Sequence, residues 1–171
     1  RPVTFGLSYG QGGVDRTAKL YIGGKQVRPD GDTSLRVPAC NGSVAGEVGR
    51  GSRKDIRNAV EAARKAQPAW GARTAHNRAQ ILYYVAENLT ARRGEFVERL
   101  AQLSGDRRDA TGEVDACVSR LFSYGAWADK WDGRVHATPH RIVTLAMHEP
   151  LGVVGGVCPD DRPLLGLVSL L

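Results

Sequence analysis

The sequence predicts an α/β fold, and three patterns along the chain support this prediction. Short strand-like runs separated by turn residues occupy residues 19–48. Apolar residues at helical spacing then recur through residues 52–131. After Gly133 the helical period is lost, and the run from Leu151 to Cys158 is almost continuously apolar. Such a run is expected for a strand that is buried on both faces of a sheet.

The first elements are predicted to be short antiparallel hairpins. Lys19–Val27 places a Gly23-Gly24 turn between two strand-like runs, a composition that tight hairpin turns favour. Asp30-Gly31-Asp32 is a second turn signal, and Thr33–Pro38 and Gly42–Val48 are predicted to be further strands. These runs predict a small antiparallel layer ahead of the helices.

The first long helix is predicted to begin after Ser52. Ser52 is a suitable N-cap, and Asp55, three residues later, lies near the positive end of the helix dipole. Pro68 is predicted to end this helix because proline lacks the backbone N–H that the next turn requires.

Two further helical regions follow. One begins near Thr74 and, after an interruption at Arg92-Arg93-Gly94, continues to Gly105. The other covers residues 110–131 and places Cys117 on its apolar stripe, where a small residue that fills the core is expected.

The two ends of the chain differ in composition. Residues 1–18 are rich in glycine, serine and other polar groups without a regular period, which predicts a linker. Residues 133–148 alternate loosely around Pro139 and predict a hairpin. Residues 163–171 are strongly apolar and would need a surface to bury against. We therefore expect the chain to be a piece of a longer protein, cut inside a domain.

Composition limits the class of protein. A chain of 171 residues with 42% hydrophobic and 25% charged residues forms one globular domain, or one domain with a tail. The net charge of +6 permits an anionic partner, but no nucleic-acid recognition motif accompanies it, so we expect no nucleic-acid partner. No apolar run reaches the roughly 20 residues of a membrane span.

Cysteine, histidine and glycine spacing gives no metal or phosphate motif. Three scattered cysteines lack a CxxC pair, which disfavours a zinc site and suits a reducing compartment such as the cytoplasm. The glycines in Gly152-Val-Val-Gly-Gly156 lie inside the predicted strand, whereas a phosphate fingerprint places them in the turn that follows. Close packing of a helix on the strand is the favoured interpretation of these glycines.

Several segments together resemble the aldehyde dehydrogenase superfamily. They are listed here in chain order: Leu20-Tyr-Ile-Gly-Gly-Lys-Gln-Val27, Gly46-Glu-Val-Gly-Arg-Gly-Ser52, Ala59-Val-Glu-Ala-Ala-Arg-Lys-Ala66, residues 78–89, residues 113–130, and Glu149-Pro-Leu-Gly-Val-Val-Gly-Gly-Val-Cys-Pro159. Each segment is moderately specific, but their order and spacing are distinctive. The resemblance runs from about residue 19 to the end and makes residues 19–171 the N-terminal portion of such a domain.

The resemblance implies NAD(P)-dependent oxidation of aldehydes to acids, a Rossmann-type cofactor domain that begins with the buried strand, and a homo-oligomer. It also implies that residues 133–148 form an oligomerisation hairpin. By family position, Val157, Cys158, Pro159 and Asp160 would lie beside the nicotinamide end of the cofactor. The family's nucleophilic cysteine and glutamate base would follow residue 171, and Cys158 stands too early to be that nucleophile.

Asp161 stands where family members carry the asparagine of a Pro-Trp-Asn-Phe-Pro motif that helps to hold the oxyanion. Pro159 and Pro163 match the motif, but Asp160, Asp161 and Arg162 replace its three central residues. A carboxylate accepts hydrogen bonds and would repel the developing negative charge. Asp161 could donate only if it were protonated, a state that the neighbouring Asp160 would favour.

The sequence therefore leaves two compatible hypotheses. One is an aldehyde dehydrogenase-like region that is not catalytic in this chain. The other is a non-catalytic scaffold for oligomerisation or for binding of a protein partner.

Overall fold

The computed structural model describes residues 17–171. The predicted linker, residues 1–18, lies outside the described residues except for Thr17 and Ala18. Ala18 pairs with strand β4 (Val44–Gly49): its N–H donates to the Glu47 carbonyl at 2.8 Å, and its carbonyl accepts from the Gly49 N–H at 2.7 Å.

Two small antiparallel hairpins precede the helices, as predicted. Strands β1 (Leu20–Ile22) and β2 (Lys25–Val27) pair across Gly23 and Gly24, whose φ angles of +63° and +79° suit glycine. Strand β3 (Ser34–Pro38) pairs with β4, with a register shift between Val37 and Pro38.

Four long helices follow, and side chains cap three of them. Helix α1 (Arg53–Gly71) begins with a capping box formed by Ser52 and Asp55, and α2 (Ala75–Ala91) is capped by Thr74. Helix α3 (Arg93–Ser104) ends at Gly105 in the left-handed conformation. Helix α4 (Arg107–Trp127) is capped by the Asp106 side chain.

The predicted end of α1 at Pro68 is wrong, because the helix continues to Gly71. A proline inside a helix removes one hydrogen bond, and this one lies close to the end of the helix, where the loss is small. The Pro68 carbonyl still accepts from the Ala72 N–H at 3.0 Å and closes the last turn.

The apolar core lies among α2, α3 and α4, and Val168 near the end of the chain completes it. Its members are Ala86, Leu89, Val97, Leu100, Ala110, Val114, Cys117, Leu121 and Val168. Cys117 is fully buried, as predicted for a core position. Burial, helped by the negative charge of Glu113, raises the pKa of the Cys117 thiol to about 11.

The end of the chain differs from the prediction. Strands β5 (Arg134–His136) and β6 (Thr144–Ala146) form the expected hairpin, but residues 151–158 form no strand. Leu151 is 95% exposed and Val157 is 98% exposed. A strand buried on both faces needs neighbouring strands as well as covering helices, and the described residues provide no strand that pairs with this run.

A short helix that the sequence did not predict follows this run. Helix α5 (Pro163–Val168) packs on α4 and buries Val168 in the core, with Leu164 and Leu165 against its edge. The apolar end of the chain is therefore partly buried against other described residues.

Candidate functional site

The segment from Val157 to Asp161 lies against helix α5. A β-carbon at Gly166 would lie 2.4 Å from Pro159 Cδ, so only glycine allows this approach. A β-carbon at Gly156 would likewise meet the Leu170 side chain at 2.5 Å. Gly166 thus lets Pro159 approach α5 closely, and the segment forms no strand pairing.

The predicted site residues share this segment but differ in exposure. Val157 and Pro159 are exposed, whereas Cys158 is half-buried beside α5. Asp160 and Asp161 are exposed at one wall of a cavity of about 180 Å³. The opposite wall comes from α3 and α4 and includes Glu113.

Two acidic residues of α4 hold the start of α5. The Arg162 guanidinium donates to Asp109 Oδ1 at 2.8 Å. The Leu165 N–H donates to Glu113 Oε1 at 3.0 Å. Because it accepts from an N–H in the first turn of α5, the Glu113 carboxylate acts as a cap for this helix. Glu113 is only 3% exposed.

Sequence reasoning missed the role of Glu113. A signal was present, because Glu113 stands four residues before Cys117 and therefore on the buried face of α4. An acidic residue on that face needs a hydrogen-bond donor, but the sequence does not show that the donor lies 52 residues away.

The polar side chains at the cavity beside Asp161 are mainly acceptors, and Leu100, Leu103 and Pro163 complete its lining. Glu113, Asp160 and Asp161 all border it, and the Ser104 hydroxyl there is shared with the backbone of Asp106. A site that stabilises a developing anion needs donors aimed at it. These residues supply the opposite charge pattern, and the arrangement disfavours an oxyanion.

The described residues do not form a complete dinucleotide site. Phosphates bind where free amide groups meet at a helix N-terminus, but α5 begins with Pro163, which has no N–H, and its Leu165 N–H is already bound to Glu113. Val157 is open to solvent, so Val157–Asp160 would supply at most one wall for a nicotinamide ring. Within residues 17–171 no three His, Cys, Asp or Glu side chains are placed so that they could hold one metal ion.

A model of the aldehyde dehydrogenase family matches residues 14–169. The chain belongs to this family. The chain is 34% identical over 157 residues to a 2-hydroxymuconic semialdehyde dehydrogenase of Pseudomonas putida, covering 86% of this chain and 32% of that protein. It is 32% identical over 158 residues to an aldehyde dehydrogenase of Davidiella tassiana, covering 90% of this chain and 32% of that protein.

Solved structures of this family share the fold. An NAD-dependent aldehyde dehydrogenase from Sinorhizobium meliloti matches 91% of this chain with a TM-score of 0.85 and 25% identity. A betaine aldehyde dehydrogenase from Staphylococcus aureus, in complex with NAD⁺, matches 88% with a TM-score of 0.84 and 23% identity, a likeness of fold. The chain covers 32% and 31% of these two structures.

The described helices and hairpins are therefore the N-terminal part of the aldehyde dehydrogenase fold, and the chain spans about a third of the length of its relatives. No helix among the described residues is long and apolar enough to cross a membrane.

Proposed function

We propose that this chain is the first part of an aldehyde dehydrogenase-like unit that no longer catalyses the family reaction, the NAD(P)-dependent oxidation of aldehydes to acids. The observation that carries the proposal is the carboxylate of Asp161 at the expected oxyanion position. It borders one cavity together with Asp160 and Glu113.

Charge provides the physical reason. Attack on an aldehyde carbonyl creates an oxyanion, and a single lost donor costs about 3 kcal/mol of transition-state stabilisation. Three carboxylate side chains around one cavity oppose that charge, and Arg162, the nearest cation in the segment, is engaged by Asp109 at 2.8 Å.

We propose NAD(P) as the cofactor of the intact protein and not of this chain alone. Val157, Cys158, Pro159 and Asp160 would contribute backbone beside the nicotinamide end, and residues outside this chain would supply the remaining contacts. Residues 17–171 would supply only part of the cofactor site.

The second candidate function is a scaffold for assembly. The β5–β6 hairpin exposes Val135, Leu145 and the loop residues Ile142 and Val143, each more than half accessible. An apolar two-stranded hairpin with a free edge favours pairing with another chain. We propose a homo-oligomer of the intact parent through residues 133–148, with a different protein as the alternative partner.

A finer assignment rests on the amino-acid sequence of one segment. Cys158-Pro-Asp-Asp-Arg-Pro163 resembles aldehyde dehydrogenase family 16 member A1. Such a protein carries two aldehyde dehydrogenase-like regions, and this chain resembles the start of the second. We assign the protein to the cytoplasm on its three unpaired cysteines.

The test is the formation of NADH or NADPH from a panel of aliphatic and aromatic aldehydes, by this chain and by the intact parent. An active aldehyde dehydrogenase in the same buffer is the control. We expect no turnover above the blank. Turnover by the intact parent that is lost on substitution within residues 157–163 would overturn the proposal.

A further inference from the structure

A second cavity, of about 670 Å³, shares no lining residue with the cavity beside Asp161. It forms where the end of α1, the start of α2 and residues 148–152 meet, with Trp131 on one side. Its volume falls in the range of about 300–1,000 Å³ that small-molecule sites occupy.

Two indole rings contribute to the cavity walls. Trp70 comes from the last turn of α1 and is 45% exposed, and Trp131 follows α4 and is 69% exposed. Trp131 stacks on His148 with ring centroids 5.1 Å apart, which restrains the indole while much of its surface stays open. Open aromatic faces of this kind bind planar rings by stacking.

Arg78 is the cationic side chain of the cavity. Across residues 17–171 it is the one lysine or arginine that is half-buried rather than exposed. Its Nη1 donates to the Arg73 carbonyl at 2.7 Å, and no carboxylate in this part of the chain lies within ion-pair distance of it. A partly desolvated charge is stabilised by a partner of opposite sign.

The position of Arg78 strengthens this argument. Arg78 lies in the first turn of α2, where the helix dipole disfavours a cation. Glu149 also lines the cavity, but it is exposed and therefore solvated, and it forms no ion pair with Arg78 within the described residues. Within the described residues the Arg78 guanidinium is thus left without a paired carboxylate.

We propose that this cavity binds a small aromatic carboxylate. Its ring would stack on Trp131 and Trp70, and its carboxylate would accept hydrogen bonds from the free N–H groups of Arg78, a pairing that guanidinium geometry favours. The proposal does not depend on whether the unit oxidises aldehydes.

The chain suits a fluorescence test because it contains three tryptophans. Trp127 does not line the cavity, so Trp127→Phe leaves Trp70 and Trp131 as reporters. We expect benzoate to change their fluorescence saturably, with weaker binding of benzamide, which lacks the charge, and of acetate, which lacks the ring. Equal binding of benzoate and benzamide, or no saturable change at millimolar benzoate, would overturn the proposal.

Substitutions locate the binding. Arg78→Met should weaken benzoate binding by about 10- to 100-fold, the effect of one charge-assisted hydrogen-bonded pair. Trp131→Ala should weaken it by about three- to tenfold. Arg73→Met removes the same charge five residues earlier, keeps the carbonyl that anchors Arg78, and should leave binding unchanged.

Folding and the intact protein complete the test. Circular dichroism verifies each variant, and Arg78→Lys, which keeps the charge but not the planar fork, should bind with intermediate affinity. If Arg73→Met weakens binding as much as Arg78→Met, the effect is general charge and the proposal fails. Loss of benzoate binding in the intact parent would show that another part of the protein fills the cavity, which also overturns it.

Discussion

Asp55 links the first helix to the loop after strand β2. Its carboxylate accepts from the Ser52 N–H at 2.8 Å and from the Asp30 N–H at 3.2 Å, and it is 5% exposed. The backbone hydrogen bond from Ser52 is the main cause that lowers the pKa of Asp55 below its ordinary value of 3.8, against the opposing effect of burial. One carboxylate thus completes a helix cap and a loop contact together.

The stability that is lost when Asp55 is replaced should depend on pH. Folding lowers the pKa of Asp55 because its hydrogen bonds favour the ionised carboxylate. The stabilising effect is therefore complete above the ordinary pKa of 3.8 and is lost as pH falls through the lower pKa of the folded chain. We expect Asp55→Asn to lower the melting temperature at pH 7, and the difference from the parent chain to shrink as pH falls below 3.8. Glu61→Gln, on the exposed side of α1, is the control. A pH-independent difference would contradict the assignment.

Asp161 is the residue whose replacement tests why the unit would be inactive. If the intact parent supplies a cysteine and a glutamate, Asp161→Asn replaces a repelling acceptor with a donor, and kcat should rise by about 10²–10³. The gain should appear in kcat more than in KM, because the charge develops in the transition state.

Asp160→Asn is the matched control for this experiment, because it removes a neighbouring carboxylate from the same cavity wall. It should change kcat far less than Asp161→Asn does. Steady-state kinetics of both variants decide the question. If Asp161→Asn does not raise kcat, Asp161 is not the cause of inactivity and the scaffold function is favoured.

Cys117 should resist alkylation although it is a free thiol. The reaction needs the thiolate, and burial raises the pKa of Cys117 to about 11. With iodoacetamide at about pH 8, mass spectrometry should find Cys40, which is exposed, modified well before Cys117. Labelling in denaturant should modify both. Equal rates in the folded chain would show that α4 does not shield the thiol.

At the scale of elements, the β5–β6 hairpin carries the proposed assembly surface. Ile142 is 66% exposed in the loop and Leu145 is 57% exposed in β6, so neither contributes to the core. We expect Ile142→Glu with Leu145→Glu to lower the mass of the intact parent's assembly, measured by light scattering. Introduced charges oppose burial at an interface.

A second hairpin provides the control for that experiment. Val44 is 55% exposed at the start of β4, so Val44→Glu makes a similar change outside the proposed surface. It should leave the mass unchanged. If the hairpin variant also keeps its full mass, residues 133–148 are not the assembly contact.

At the scale of the whole molecule, stability should reside in the helical core. Leu121 is 2% exposed among α2, α4 and α5, and Leu121→Ala should reduce the free energy of unfolding by about 2–5 kcal/mol. Leu151→Ala, at a side chain that is 95% exposed, should change it by less than about 0.5 kcal/mol. Denaturant titration measures both, and similar losses would place Leu151 in a folded unit that the structure does not show.

Features that depend on contacts close in sequence were predicted, and features that depend on distant contacts were not. Ser52, Thr74 and the Gly23-Gly24 turn were predicted correctly because each acts on residues within four positions of itself. The stripe that contains Cys117 was predicted because helical period and burial coincide on α4. The candidate site segment, Val157–Asp161, stays a prediction from family resemblance, and no local pattern predicts its geometry.

The sequence by itself determined the hairpins, the helix starts and the core face of α4, since these follow from capping, turn conformation and period. Tertiary structure decided the rest. The run 151–158 has the composition of a buried strand, but pairing depends on neighbours that the run cannot specify. The hydrogen bond from Leu165 to Glu113 spans 52 residues, and Arg78 meets Trp131 at one cavity only after α2 and α4 pack. Contacts across such distances depend on how whole elements pack, which no local pattern encodes.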